Sequence, residues 1–177
     1  MNFSRDNTNI WAPWRMEYIE TIDTGETDCF LCDYIATPER DEENLLLWRG
    51  KTTYCLLNRF PYTGGHCLIA PYDHLGDLPD FAPEVISEMM AMTQDLEQSL
   101  RVAIGAEGFN IGINLGRCAG AGLPGHLHTH IVPRWSGDTN FMSTLGDARV
   151  VPEFLLTTRR KILAAAATLD LSTFPGA

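Results

Sequence analysis

The chain has few basic residues and no long apolar run. Lysine and arginine number 13 against 23 acidic residues, which gives a formal net charge of −10 over 177 residues. This balance argues against a DNA or RNA partner, because nucleic-acid-binding proteins neutralise backbone phosphates with basic side chains. No stretch approaches the roughly 20 consecutive apolar residues that span a bilayer. We therefore expect neither nucleic-acid binding nor membrane association.

The cysteines are odd in number and do not form an evident set of pairs. Three of the five, Cys55, Cys67 and Cys118, stand alone in apolar or glycine-rich segments, which is not the pattern of a disulfide framework. Cys29 and Cys32 are separated by two residues, a spacing that suits metal or redox chemistry in a reducing compartment. No basic patch leads into an apolar run near the first residue, so we expect a cytoplasmic protein.

The length of the chain suits one domain, and residues 1–177 are predicted to form a single unit. Residues 1–10 are polar and are predicted to be flexible. Aromatic side chains then concentrate between Ile10 and Ile19, which is not typical of a disordered tail. We expect residues 11–28 to dock, either on the same domain or across a dimer interface.

Strands are predicted where apolar side chains alternate with polar ones or where β-branched and aromatic residues cluster. These segments are residues 45–49, 53–58, 66–71, 109–116 and 126–132. A long helix is predicted up to Gly105, with Asp80 and Pro83 marking its start. A terminal helix is predicted over 152–169 and a short one up to Ile35. The predicted fold class is α+β, an antiparallel sheet of about five strands with helices packed against one side.

Three of the five histidines occupy every second position in the sequence His126-Leu127-His128-Thr129-His130. In a strand this spacing places all three imidazoles on one face, whereas in a helix they would diverge by about 200°. Imidazole near neutral pH can act as nucleophile, proton carrier or metal ligand. The pattern predicts a site for metal ligation, phosphate handling or both; the alternative is a half-buried strand with incidental histidines.

The histidine pattern, which is followed by two apolar residues, resembles the defining motif of the histidine triad superfamily. The resemblance covers about residues 10–155 and includes Asn58 to Pro71, Asn114 to Gly116 and Pro133 to Phe141. It extends to the bacterial branch that is similar to diadenosine tetraphosphate phosphorylase and to the fragile histidine triad dinucleoside polyphosphate hydrolases. It implies a HIT-like fold, a homodimer and an enzyme that transfers nucleotidyl groups.

The resemblance also implies roles for two of the histidines. The middle one, His128, would attack the α-phosphorus of a dinucleoside polyphosphate and form a nucleotidyl-histidine, while His130 would donate to a phosphate oxygen. Phosphorolysis to ADP and ATP, with inorganic phosphate as second substrate, is favoured. Hydrolysis of dinucleoside polyphosphates or of nucleoside phosphoramidates is the alternative. A non-catalytic, zinc-stabilised nucleotide-binding protein is the hypothesis of another class.

Five further positions are implicated in substrate binding. By resemblance Asn58 bonds a ribose hydroxyl and Asn114 a phosphate oxygen, although either residue type is also common in turns and at strand ends. His66 is either a core residue or a pocket residue. Many family members carry glutamine four residues before the first triad histidine, where this chain has Gly122. Backbone N–H groups of the loop from Gly120 to Gly125 would contact the leaving phosphate instead, since small residues let the backbone approach an anion.

A structural zinc ion is the cofactor that the resemblance implies. Cys29 and Cys32 supply two thiolates, and zinc-binding members of the family place a histidine where this chain has His74. With His126, the first histidine of the triad, the set becomes Cys2His2, which suits tetrahedral Zn²⁺. One triad imidazole would then serve the metal and the other two the chemistry.

Overall fold

The computed structural model describes residues 29–138 and 153–175, so the predictions for residues 1–10, 11–28 and 139–141 lie outside the described residues. Three α-helices and five strands occur in the described parts of the chain, and none of the helices is long and apolar enough to cross a membrane. In chain order they are α1 (Phe30–Ala36), β1 (Leu46–Arg49), β2 (Thr53–Leu57), β3 (Cys67–Pro71), α2 (Pro83–Ile104), β4 (Gly108–Ile113), β5 (Thr129–Arg134) and α3 (Leu155–Ala166).

The five strands form one antiparallel sheet in the order β1-β2-β3-β5-β4, which confirms the predicted architecture. β5 inserts between β3 and β4, and its residue His130 lies opposite Leu68 of β3. Antiparallel pairing then places the residues just before β5 beside the end of β3, near Pro71. The order of the strands therefore brings the histidine segment to the exit of β3.

Both faces of the sheet are covered at its centre. Cys55 and Leu57 of β2 lie in the main core with α2 and α3. Tyr54 and Leu56 of the same strand lie on the opposite face and pack with Leu31 of α1. This corrects the expectation that the helices pack against one side. It also explains why β2 and β3 are buried at every position rather than at alternate ones.

Helix α2 ends where the local sequence predicts. Its first residue is Pro83, a position where the missing N–H costs nothing, and it stops before Gly105, whose φ of 63° is left-handed. Asp80 belongs to a separate 3-10 turn, so the helix starts at the later of the two predicted positions. The apolar stripe of α2 packs against the sheet through its buried residues Val85, Met89, Met92, Leu96 and Leu100.

A buried carboxylate on α2 fixes the segment after α3. Asp95 exposes 3% of its surface and accepts hydrogen bonds from the backbone N–H and hydroxyl groups of Ser172 and Thr173. The Thr173 hydroxyl also accepts from the indole of Trp48, at 3.1 Å. These contacts close the core over β1. α3 itself begins at Leu155, later than predicted, with its N-cap at the preceding residue.

Candidate active site and metal site

The alternation predicted for the histidine segment is kept, although only His130 lies within β5. Leu127 and Ile131 pack in the main core, whereas the rings of His128 and His130 meet edge to face with centroids 4.9 Å apart. His126 and His128 precede β5, because the N–H of Leu127 donates to the carbonyl of Leu75 and not to a neighbouring strand. His126 turns its ring to a separate cluster described below.

The geometry around His128 identifies which ring nitrogen carries the proton. Nδ1 lies 2.8 Å from the carbonyl oxygen of His126, and a carbonyl can only accept, so Nδ1 is protonated. Burial lowers the pKa of His128 below its ordinary value, an effect that this hydrogen bond opposes. The side chain is buried, with 8% of the residue surface exposed. His128 is thus a neutral imidazole whose Nε2 bears a lone pair.

His130 and His66 form a second imidazole pair, in which Nε2 of His66 lies 3.0 Å from Nδ1 of His130. Nδ1 of His66 accepts from the backbone N–H of Tyr62, at 3.2 Å. A backbone N–H can only donate, so the proton of His66 is on Nε2 and points at His130. Nδ1 of His130 therefore accepts, and its proton is on Nε2. Burial, followed by the neighbouring imidazole of His128, lowers the pKa of His130 to about 4.

Asn58 lies at the far end of this pair. Its Oδ1 accepts from the N–H of Phe60 at 2.9 Å, which fixes the amide so that Nδ2 faces Nδ1 of His66 at 3.3 Å. The backbone N–H of Asn58 also donates to the carbonyl of His66. His66 has no exposed surface, whereas His130 is half-buried.

Tyr62 is a site residue that the sequence analysis missed. Its ring lies against His66, with centroids 4.6 Å apart, and stacks on His130 at 5.9 Å. The residue is 44% exposed, so it forms one wall of the imidazole pair and faces solvent on its other side. The available signal was an aromatic residue four positions before a histidine in a turn-rich segment.

The glycine-rich loop before the triad uses part of its backbone internally. Gly120, with a φ of 87°, follows a 3-10 turn and donates its N–H to the carbonyl of Arg117. The N–H of Ala121 donates to the carbonyl of Gly116. Gly122 follows at an exposed position, and Asn114 is half-buried just after β4. The loop thus presents Gly122 outward, while Gly120 shapes the turn.

Four residues converge on a second cluster, as the sequence analysis predicts. One ligand atom from each of Cys29, Cys32, His74 and His126 lies within 4.8 Å of the other three. Sγ of Cys29 lies 3.2 Å from Nδ1 of His126, and Sγ of Cys32 lies 3.2 Å from Nδ1 of His74. Ligands of a tetrahedral zinc ion are separated by roughly 3.3–3.8 Å, as bond lengths of about 2.0–2.3 Å require. The cluster therefore has the size of a metal site.

The contacts around the cluster also fit a metal. Nε2 of His126 lies 2.9 Å from the carbonyl oxygen of Pro71, so Nε2 carries the proton and Nδ1 turns its lone pair to the thiols. Burial, followed by the neighbouring thiol of Cys29, raises the pKa of Cys32 to about 11. A bound dication would oppose this shift, because thiolates are the metal-binding form. Two thiols and two imidazoles form a donor set that suits Zn²⁺.

Close backbone approach holds the two histidines of the cluster together. A Cβ atom at Gly76 would lie 2.5 Å from the carbonyl oxygen of Pro124, and one at Gly125 would lie 3.2 Å from Nε2 of His74. Glycine is required at Gly76, because the clashing atom belongs to the backbone. The loop that carries His74 thus lies directly against the segment that leads to His126.

His126 connects the two sites. Its ring faces the thiols, and its backbone carbonyl accepts the Nδ1 proton of His128. The Cys2His2 cluster and the imidazole of His128 are therefore joined through a single residue. Chemically, the arrangement offers an unprotonated imidazole nitrogen on His128, an N–H donor on His130 and a glycine-rich turn close by in sequence.

The comparisons with known proteins agree on one family. Residues 39–137 match the model of the HIT domain. A Mycobacterium tuberculosis protein named AP-4-A phosphorylase is 38% identical over 156 residues, which cover 85% of this chain and 80% of that protein. A Schizosaccharomyces pombe bis(5'-nucleosyl)-tetraphosphatase (asymmetrical) is 30% identical over 93 residues, or 52% of this chain and 50% of that protein.

Among solved structures, the fold is similar to that of a zinc-bound histidine triad family protein from Mycobacterium smegmatis. The TM-score is 0.65 at 29% sequence identity, with 81% of this chain and 96% of that chain covered. The five-stranded sheet and its helices are therefore shared with histidine triad proteins.

Proposed function

The chain belongs to the HIT domain family, and from this we propose that it is an enzyme that cleaves dinucleoside polyphosphates by nucleotidyl transfer. The favoured reaction is phosphorolysis, in which diadenosine tetraphosphate and inorganic phosphate give ADP and ATP. The similarity to the mycobacterial phosphorylase supports this choice, because it extends over most of both chains. The shorter match to the yeast tetraphosphatase supports hydrolysis as the second candidate.

The observation that carries the proposal is the protonation of His128. An imidazole with its proton held on Nδ1 by a carbonyl has its lone pair on Nε2, and burial keeps the ring neutral. Neutral imidazole is the nucleophilic form.

The proposed reaction has two balanced steps. Nε2 of His128 forms a bond to the α-phosphorus, the bond from phosphorus to the bridging oxygen breaks, and ATP leaves with that electron pair. The ring becomes cationic and keeps its Nδ1 proton against the carbonyl of His126. A phosphate oxygen then attacks the same phosphorus, the P–N bond breaks, and ADP and neutral His128 are released.

Developing negative charge on the phosphoryl oxygens needs fixed donors. We assign this role to Nε2–H of His130, to the side chain of Asn114 and to the backbone N–H of Gly122. Gly120 is assigned to shaping the turn, since its own N–H already donates to Arg117.

We assign Zn²⁺ to Cys29, Cys32, His74 and His126, in a structural role. The distances and the donor set support this assignment, as does the similarity to a zinc-bound protein of the family. When bound, Zn²⁺ would link α1 to the segment before β5 and take no part in bond making. The bound ion would hold His126 most directly in place, and the carbonyl of His126 orients the proposed nucleophile, His128.

Incubation with diadenosine tetraphosphate, with and without phosphate, tests the function. Chromatographic separation of ADP and ATP that form only when phosphate is present would support phosphorolysis. AMP and ATP, formed without phosphate, would instead identify a hydrolase. Binding without any turnover would overturn the proposed activity and leave a nucleotide-binding protein.

We further propose a homodimer that pairs the β4 edge. β4 pairs with β5 alone among the described strands, and its central Ile111 is 46% exposed. We expect light scattering to give twice the chain mass at micromolar concentration, and Ile111→Glu to shift the protein to the monomer. Leu156→Glu on α3 is the matched control, because Leu156 is equally exposed and its helix contacts β1, at the opposite edge of the sheet. A wild-type monomer, or an Ile111→Glu dimer, would contradict this interface.

A further inference from the structure

We propose that Asn58 is a positioning residue that acts through His66 on His130. The inference rests on the proposed nucleotidyl transfer and concerns how that site keeps a hydrogen-bond donor aimed at the substrate phosphates. A ring with one proton can offer it on either nitrogen, so some feature must select Nε2 of His130. The contacts of Asn58, together with the backbone N–H of Tyr62, provide that selection.

The side-chain amide of Asn58 has one fixed orientation. Oδ1 and Nδ2 of asparagine are interchangeable unless a neighbour distinguishes them. The N–H of Phe60 does so, because it can only donate and lies 2.9 Å from Oδ1. Nδ2 is thereby turned to His66, where it donates to Nδ1 at 3.3 Å.

Two donors converge on one ring nitrogen of His66. Nδ1 of His66 receives the amide of Asn58 and the backbone N–H of Tyr62, at 3.3 and 3.2 Å. Neither donor can accept a proton, so a proton on Nδ1 would face two N–H groups. The alternative tautomer of His66 and its cationic form are both disfavoured.

The tautomer of His66 in turn determines the tautomer of His130. With its proton on Nε2, His66 donates to Nδ1 of His130 at 3.0 Å. His130 must then carry its own proton on Nε2, the nitrogen that is available to a phosphate oxygen. The ring of Tyr62 stacks on that of His130, with centroids 5.9 Å apart, and covers one side of the pair. A chain of three hydrogen bonds thus runs from the Phe60 amide to the proposed transition-state donor.

The decisive variant is Asn58→Asp. A carboxylate still accepts from Phe60, as it would from a ribose hydroxyl, but it replaces the donor that faces His66 with an acceptor. The hydrogen bond from a ring N–H to this carboxylate would be charge-assisted and so stronger than the bond that Nδ1 accepts from the neutral N–H of Tyr62. The proton of His66 should then move to Nδ1, and the proton of His130 to the nitrogen that faces His66. Losing one donor to a charged transition state typically costs about 10²–10³ in rate, so we expect kcat to fall by that factor with little change in KM.

Two controls separate positioning from other roles. Asn58→Ala leaves the Tyr62 amide in place, so kcat should fall only about tenfold or less. Thr63→Val removes the hydroxyl that donates to the carbonyl of Pro133 and so loosens the same turn without touching the imidazoles. If loosening the turn explains the Asn58→Asp defect, Thr63→Val will reproduce it.

The readout that does not depend on turnover is the ring ¹⁵N spectrum of the resting protein. We expect unprotonated Nδ1 signals for His66 and His130 in the wild type and in Thr63→Val, and protonated ones in Asn58→Asp. A wild-type His66 protonated on Nδ1, or an Asn58→Asp protein with unchanged tautomers, would overturn the inference. If the protein shows the expected tautomers but does not turn over substrate, the proposed function is refuted and the hydrogen-bond chain is not.

A substrate analogue lacking the ribose hydroxyls tests the competing role. If Asn58 binds ribose, Asn58→Ala will cost nothing further with the analogue, because the contact is already lost. If Asn58 acts through His66, the effects of the variant and of the analogue will multiply.

Discussion

His128→Asn is expected to lower turnover by at least about 10⁴-fold while nucleotide binding and metal content stay near wild type. The covalent route is lost, because the lone pair of an amide nitrogen is delocalised into the carbonyl group and does not attack phosphorus. The asparagine amide can still donate to the carbonyl of His126, so the local structure should be retained. Steady-state kinetics, nucleotide titration and elemental analysis measure the three quantities separately.

His130→Asn is the matched control for this variant. It removes one donor and not the nucleophile, so we expect the smaller loss of about 10²–10³. Wild-type protein quenched without acid during turnover of α-labelled substrate should carry label on a peptide that includes residue 128. Label on another residue, or substantial activity in His128→Asn, would replace the two-step mechanism with direct attack by phosphate or water.

Cys32→Ser is expected to lose the metal and to lower the thermal stability strongly. The wild-type protein should contain about one zinc ion per chain, and metal at 1,000 times its dissociation constant stabilises a fold by about 4 kcal/mol. For a chain of this length that corresponds to a decrease in Tm of roughly 8–16 °C. Elemental analysis and calorimetry provide the two measurements.

Cys118→Ser is the appropriate control, because Cys118 is exposed and lies outside the metal cluster. It should keep both the metal and the Tm. Wild-type protein prepared without chelator and free of zinc, or Cys32→Ser with full metal content, would remove the assignment of these four ligands.

Features set by local sequence were predicted correctly. The ends of α2 follow from Pro83 and Gly105, whose backbone preferences act within one turn of the chain. The strands of the sheet follow from short-range alternation or from clusters of β-branched and aromatic residues, and their antiparallel pairing is confirmed. The start of β5 was missed, since it depends on Leu127 bonding Leu75 from a distant loop.

The site was predictable only in part, because its key contacts join residues far apart in sequence. The spacing of Cys29 and Cys32 indicates a metal, but His74 and His126 came from family resemblance and not from spacing. The bond between His66 and His130 crosses 64 residues, and no local pattern encodes which nitrogen meets which. The hydrogen bonds of Asp95 are equally hard to predict from local sequence, since its partners lie 77 and 78 residues further along the chain.

The ligands of the proposed zinc site are made at different times during protein synthesis. Cys32 and His126 are 94 residues apart, and ribosomes add about 5–20 residues per second. The two thiols therefore leave the ribosome roughly 5–20 seconds before their last ligand is made. During that interval they are open to oxidants and to competing soft metals such as Cu(I). If the cluster binds the proposed zinc ion, the speed of translation and the reducing power around the nascent chain would help to decide which metal the finished protein holds.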